Sequence, residues 1–355
     1  MSIRFLYSEA LQLLKQLIAA PSFSKEETAT ADIISAFLDK HNIPFQRLKN
    51  NIYATNKYYD EAKTSILLNS HHDTVKPNKG YTLDPFLPIE KEGKLFGLGS
   101  NDAGGCLVAL IATFVYFYEL QNLPFNLVLA ASAEEEISGA NGIELLLPFL
   151  GKIDCAIVGE PTLLQMAVAE RGLMVVDAVA IGIAGHAARN EGENAIYKAL
   201  ADIKWIKEYQ FEKVSNLLGA TRMAVTVINT ENQQHNVVPS HCRFVIDVRV
   251  NEYYDLEEVL AILNQHLQSK FTPRSTRLKS TSIAISHPLV KAGLALGKTC
   301  YGSPTTSDKA LMPFPALKMG PGDSARSHSA DEFIFLAEIE AGIATYIELL
   351  KSIIW

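Results

Sequence analysis

The sequence is poor in cysteine: its 355 residues hold four, Cys106, Cys155, Cys242 and Cys300, each isolated and none in a C-x-x-C pair. That spacing offers no disulfide framework, and three of the four sit in or beside apolar stretches, where a buried reduced thiol is expected. A continuous apolar run long enough to span a membrane is also missing. The longest uncharged stretch, 103–118, falls short of the ~20 residues a span needs and carries two early glycines, so it predicts a buried helix. The N-terminus, MSIRFLYSEALQLLKQLIA, spaces Leu and Ile as a helix does, with charges interspersed and no small-residue cleavage site. It does not have the pattern of a secretory signal. Basic charge is scarce, with 32 Lys and Arg against 39 Asp and Glu for a net charge of −7. That balance argues against nucleic acid or an anionic membrane as the main partner. There is no internal repeat and no low-complexity tract.

What remains is 48% hydrophobic and 20% charged, the composition of a soluble globular protein in the cytoplasm, and long enough for about two domains. Residues 8–41 predict two amphipathic helices separated by PSFSKEE, with Ser24 capping the second and Glu27 completing a capping box. NNIYATN, SILLNSHHDTV, FNLVLAASAEEE and DCAIVGEP are short β-branched runs with helical patterns between them, at 103–120 and 140–149. Strands alternating with helices predict an α/β fold: a mostly parallel sheet flanked by helices on both faces, its ligand site beyond the carboxyl ends of the strands. After Gly172 the pattern changes. LMVVDAVAIGIAG, RMAVTVIN and CRFVIDVRV alternate with helices near 193–209 and 255–268, predicting an inserted α+β unit. The domains expected are thus 1–167 with 280–355, discontinuous, and 168–279.

Acidic and histidine residues collect where the apolar runs end. They are His71 and Asp73 in SHHDTV, Asp102 in GLGSNDAGG, Glu135 and Glu136 in SAEEEISG, Glu160 in IVGEPT, and His328 in SARSHSADEF. Singly, each has a plainer reading: a surface strand end, an exposed acidic turn, a structural histidine. Together, two histidines and several carboxylates without cysteine suit divalent zinc, cobalt or manganese, two ions if one carboxylate bridges. His71 fits a ligand whose ring Asp73 orients, and His72, on the other strand face, a packing or hydrogen-bonding role. Asp102, in a glycine-rich turn before an apolar helix, can present both oxygens to two cations; the turn lacks the G-x-G-x-x-G of a dinucleotide site. Three adjacent carboxylates in SAEEE are costly without a cation. A division of labour follows, Glu136 as ligand and Glu135 as general base. Asp331 and Glu332 are expected in the first turn of the final helix.

The order H-x-D, D, E-E, G-E-P and a late H resembles the dinuclear zinc amidohydrolases that include acetylornithine deacetylase, succinyl-diaminopimelate desuccinylase, aminoacylases and carboxypeptidase-G-like enzymes. The resemblance runs over essentially the whole chain. It implies a catalytic zinc domain with an inserted lid that forms a homodimer. It also implies two Zn2+ (Co2+ or Mn2+ as substitutes), one held by His71 and Glu160, the other by Glu136 and His328, with Asp102 bridging, Asp73 orienting His71 and Glu135 as base. AGHAARNEGENA resembles the segment whose histidine reaches the partner's active site, which makes His186 an oxyanion donor. HNVVP, DVR and SPTTSDKA resemble substrate-contacting elements and suggest Asn236, Arg249 and Thr306. One departure is Ser70, where the family commonly has Gly before the ligand histidine. The implied substrate is a small N-acyl amino acid, N-acetyl- or N-succinyl-ornithine or -citrulline in arginine biosynthesis. Succinyl-diaminopimelate, acetyl-lysine or a dipeptide are the alternatives within the family, and a metal-free binding protein the alternative outside it.

Overall fold

The structure, a computed structural model, describes residues 1–354. The chain divides into two compact units. One comprises Met1–Val168, Ile283–Tyr301 and the chain from Ser307 onward; the other comprises Ala169–Ser282 and Gly302–Thr306.

In the first unit the strands lie in the order Gln46–Leu48, Asn51–Thr55, Phe125–Ser132, Thr64–His71, Cys155–Val158, Ala316–Lys318, then Met166–Glu170, along which the chain leaves the unit. The four central strands, from Phe125–Ser132 to Ala316–Lys318, are mutually parallel. The flanking strands pair antiparallel. A parallel neighbour needs a crossover, whereas the edge strand Gln46–Leu48 joins Asn51–Thr55 by a tight antiparallel hairpin. Phe125–Ser132 is buried at every position, because successive side chains enter two different cores. Ile66, Leu68, Leu127, Leu129 and Ile157 pack with the helices Ile3–Ala19, Thr28–Lys40, Gly105–Tyr118 and Leu336–Lys351. Leu67, Val128, Ala130, Ala156 and Val158 pack on the other face with Ile143, Leu146 and Leu150. Helix Gly105–Tyr118 is buried at all but one position, which accounts for its being apolar all round. With the turn before it, this is the one helical stretch among the described residues apolar and long enough to cross a membrane, and it lies in the core.

Two local expectations are corrected. Helix Thr28–Lys40 has Glu27 as its N-cap and no side-chain cap, so Ser24 and Glu27 form no capping box. The final helix begins at Leu336, after a short strand Phe333–Phe335, so Asp331 and Glu332 precede it. In both places tertiary partners take the side chains that a cap would use.

The second unit is an antiparallel sheet in the order Arg222–Asn229, His241–Val250, Gly172–Ile181, Lys270–Pro273. Burial alternates along its two central strands, and the inward residues pack with helices Ala195–Glu208 and Leu256–His266.

Candidate metal centre and catalytic site

The parallel strands end at one edge of the first unit, and the candidate residues stand there. His71 closes its strand in register with Ser132, three residues before Glu135; Glu160 follows Val158 on the next strand. Asp102 lies in the turn Ser100–Gly104 that opens the buried helix, and His328 in the loop after Ser324–Arg326.

His71 is buried, and its two ring nitrogens differ. Nδ1 meets the main-chain oxygen of Asp73 at 3.0 Å and its Oδ1 at 3.5 Å. Nε2 is buried without a hydrogen-bond partner, facing Asp102 Oδ1 at 3.4 Å, Glu160 Oε1 at 3.6 Å and Glu135 Oε2 at 3.9 Å. The other oxygen of Asp102, Oδ2, lies 3.7 Å from His328 Nε2, which is 3.0 Å from Glu136 Oε2. One carboxylate thus turns one oxygen to each histidine.

Asp73 does more than orient a ring. Its Oδ1 accepts from the Glu135 N–H at 3.0 Å and its Oδ2 from the Glu136 N–H at 3.1 Å and the Ser24 hydroxyl at 2.7 Å. Glu27, fully buried, accepts the Glu134 N–H at 3.2 Å and the Asn50 side chain at 2.9 Å. The PSFSKEE turn therefore holds the acidic turn from two sides. Sequence reasoning missed this role, because S-x-x-E carries the same local signal whether its side chains meet a helix start or a distant part of the chain. His72 bonds Thr30 at 2.9 Å and the Asn50 carbonyl at 2.9 Å, and burial depresses its pKa to about 4. Asp308 is a further missed group. It accepts the Ser132 hydroxyl at 2.6 Å, and burial lifts its carboxyl to about 6.

Burial, then the charges of Asp102 and Glu136, push the Glu160 carboxyl up to about 8, with Lys318 and His71 opposing. Burial first, then Glu160, Asp308 and Glu136, also push Glu135 well up, against His71. Burial alone would lower His71, but the facing Glu135 and Asp73 hold it high. Burial alone would raise Asp102; the His71 and His328 rings hold it down. Glu136 bonds His328 and, against partial burial, raises that ring to about 9. Donor atoms of His71, Asp102 and Glu136, and again of His71, Glu135 and Glu160, lie within 4.8 Å of one another. At that spacing each pair of like charges repels by roughly 3–4 kcal/mol at an effective dielectric near 20. An unpartnered buried imidazole nitrogen aimed at crowded carboxylates is a donor set that fits a divalent cation.

A model of peptidase family M20/M25/M40 matches residues 67–352. The chain belongs to this family. It is accordingly a hydrolase with a metal-binding site. Among curated relatives, succinyl-diaminopimelate desuccinylase 2 of Ruegeria sp. (strain TM1040) is 23% identical over 97% of this chain and 95% of its own length. Acetylornithine deacetylase of Buchnera aphidicola subsp. Schizaphis graminum is 25% identical over 96% and 97%. Of solved structures, the M20 metallo-carboxypeptidase Sso-CP2 of Sulfolobus solfataricus superposes with a TM-score of 0.77 at 18% identity, over 97% of this chain and 98% of its own. The Bacillus subtilis YXEP protein, a dinuclear metal-binding M20 peptidase, gives 0.72 at 15% identity over 99% and 100%. These M20 structures share the fold described above.

The remaining candidates of this M20 chain belong to the second unit. His186 and Asn236 are neighbours there: His186 is in register with Val237, and the Ala187 N–H donates to the Asn236 carbonyl at 3.0 Å. Both side chains are exposed. Arg249 is engaged by Asp247 through two bonds of 2.8 and 3.0 Å. The Thr306 hydroxyl donates to the Arg171 carbonyl at 2.9 Å.

Proposed function

We propose that this chain hydrolyses the amide bond of a small N-acyl amino acid with the aid of two divalent metal ions, zinc by preference. In this reading the acyl group is acetyl or succinyl and the amino acid ornithine or citrulline, as in arginine biosynthesis. The observation that carries the metal pair is the Asp102 carboxylate, with one oxygen toward His71 and the other toward His328. His71, Glu160 and Asp102 would hold one ion; Asp102, Glu136 and His328 the other. Such a pair, when bound, supplies Lewis-acid polarisation of the scissile carbonyl and of water.

The chain's own groups do the rest. Glu135, fixed through its N–H by Asp73, takes the proton of the attacking water and returns it to the leaving nitrogen. Its raised proton affinity suits that task. The Nδ1 of His186 accepts from the Ala188 N–H at 3.2 Å, which puts the proton of the neutral ring on Nε2. That N–H is the donor this reading aims at the oxyanion formed on the attacked carbonyl. Asn236, Arg249 and Thr306 are the proposed substrate contacts, with Arg249 exchanging Asp247 for a substrate carboxylate.

A homodimer through the second unit belongs to the same reading. Among the described residues the edge strand Arg222–Asn229 pairs on one side only, and Val227 and Ile228 are each 53% exposed. A matching strand of a second copy would cover them. A cytoplasmic location agrees with four unpaired cysteines. A second substrate reading, succinyl-diaminopimelate, is favoured by the activity named for the Ruegeria relative.

A panel of N-acetyl- and N-succinyl-ornithine, -citrulline, -lysine and -diaminopimelate together with simple dipeptides, assayed with added zinc or cobalt, decides between them. Turnover of an ornithine or citrulline derivative well above the others is the expected result. Preference for succinyl-diaminopimelate would replace the first reading with the second, and cleavage of dipeptides alone would overturn both.

A further inference from the structure

The loop that carries His328 and the turn that carries Asp102 are far apart in sequence, and Glu332 joins them. Glu332 is 2% exposed, and its carboxylate accepts three main-chain hydrogen bonds. Oε1 takes the Asn101 N–H at 2.8 Å and the Asp102 N–H at 2.9 Å, and Oε2 takes the Gly99 N–H at 3.0 Å. Its carbonyl accepts the Gly97 N–H at 3.0 Å. All of these donors belong to the turn under Asp102 or lead into it. A second tie lies on the other side of His328. Asn101 Nδ2 donates to the Asp323 carbonyl at 3.0 Å, and the Asp323 N–H donates to Asn101 Oδ1 at 3.1 Å. The Asp102 turn is thus bonded to the His328 loop both before and after the histidine.

A neutral acceptor could make such a tie with less desolvation. A buried anion there is costly unless something nearby is positive. The cations assigned to Asp102 would supply that charge, and Glu332 would in turn favour their binding.

We propose that Glu332 is a positioning residue for the metal pair: it fixes the main chain under Asp102 against the His328 loop, so that the two carboxylate oxygens of Asp102 stay turned one to each histidine. This rests on the dinuclear reading above. Glu332→Gln keeps the shape and one acceptor oxygen but points an amide NH2 at the Gly99 N–H. Glu332→Asp keeps the charge and shortens the reach. Asp331→Asn is the comparison, since Asp331 is half-buried and its carboxylate bonds Thr82 and Leu83 rather than the Asp102 turn.

The full chain is stripped of metal and titrated with zinc against a competing chelator, with folding checked by circular dichroism. Visible absorption of the cobalt-loaded protein reports the ligand geometry. The expected result is two zinc ions in the parent and, in either folded Glu332 variant, at least one ion bound about 10–100-fold more weakly. The cobalt spectrum should be altered, and Asp331→Asn should behave like the parent. Parent-like zinc affinity and cobalt spectra in both Glu332 variants would overturn the inference alone. Equal losses in Asp331→Asn would also overturn it, because loop stability would then be what is measured. A parent that takes up fewer than two zinc ions would overturn the dinuclear reading, and the role of Glu332 with it.

Discussion

Replacing Asp73 with Asn probes the link between ligand and base. The carboxylate serves Glu135 N–H and the His71 side through Oδ1, and Glu136 N–H and Ser24 through Oδ2. Asparagine keeps one oxygen and presents an NH2 on the other side, where donors already stand. Whichever way the amide turns, one N–H of the half-buried Glu135–Glu136 turn loses its acceptor. That costs about 1–3 kcal/mol of folding stability. His71 also loses a facing charge, a kind of change that costs about 10–100-fold in metal affinity. Here the lower end is expected, because the main-chain oxygen of Asp73, at 3.0 Å from Nδ1, survives the substitution and still orients the ring. Ser24→Ala should be milder, about 1 kcal/mol, since it removes a donor and orphans none of the others. Chelator competition reads the affinity, urea unfolding of the metal-free chain the stability, and turnover at saturating metal the base. Turnover should stay below the parent even when metal is saturating, because the tether of Glu135 is gone. An Asn variant with parent affinity, parent stability and parent turnover would refute the claim that Asp73 organises this turn.

Glu135→Gln should retain its metals and lose about 10²–10⁴-fold in turnover, the usual worth of general acid–base help, as read by steady-state kinetics with elemental analysis; near-normal turnover would remove Glu135 from the role of base. Metal loading at pH 7 should release protons, because in the metal-free chain Glu160 holds its proton up to about pH 8 and His328 up to about 9. Loading should therefore weaken as pH falls, and calorimetry in buffers of different ionisation enthalpy should show the release; a buffer-independent heat would contradict it. Mixing His186→Ala with Glu135→Gln subunits should restore activity if His186 acts across a dimer, each mixed dimer then holding one unlesioned site. Mixed dimers as inactive as their parents, with subunit exchange confirmed, would confine His186 to its own chain.

Short-range physics made much of this protein legible in the sequence. Apolar runs of β-branched residues ending in His71, Glu135 and Glu160 imply strands whose polar ends share one edge. The uncharged stretch 103–118 implies a helix with no polar face; the near-continuous apolar run FNLVLAAS implies a sheet buried on both sides, and the alternation in CRFVIDVRV a sheet buried on one. These follow from periodicity and composition, which act over a few residues. The partners of Ser24, Glu27 and Glu332 do not. A polar side chain looks the same in sequence whether it bonds groups of its own helix start or a turn far along the chain, as Glu332 bonds the Asp102 N–H across 230 residues. Only the packed chain decides which donors are close and dry enough to take it. The tertiary structure likewise turned the two oxygens of Asp102 toward different histidines and gave the Asp73 carboxylate to main-chain N–H groups, because both arrangements depend on segments far apart in sequence meeting at one sheet edge.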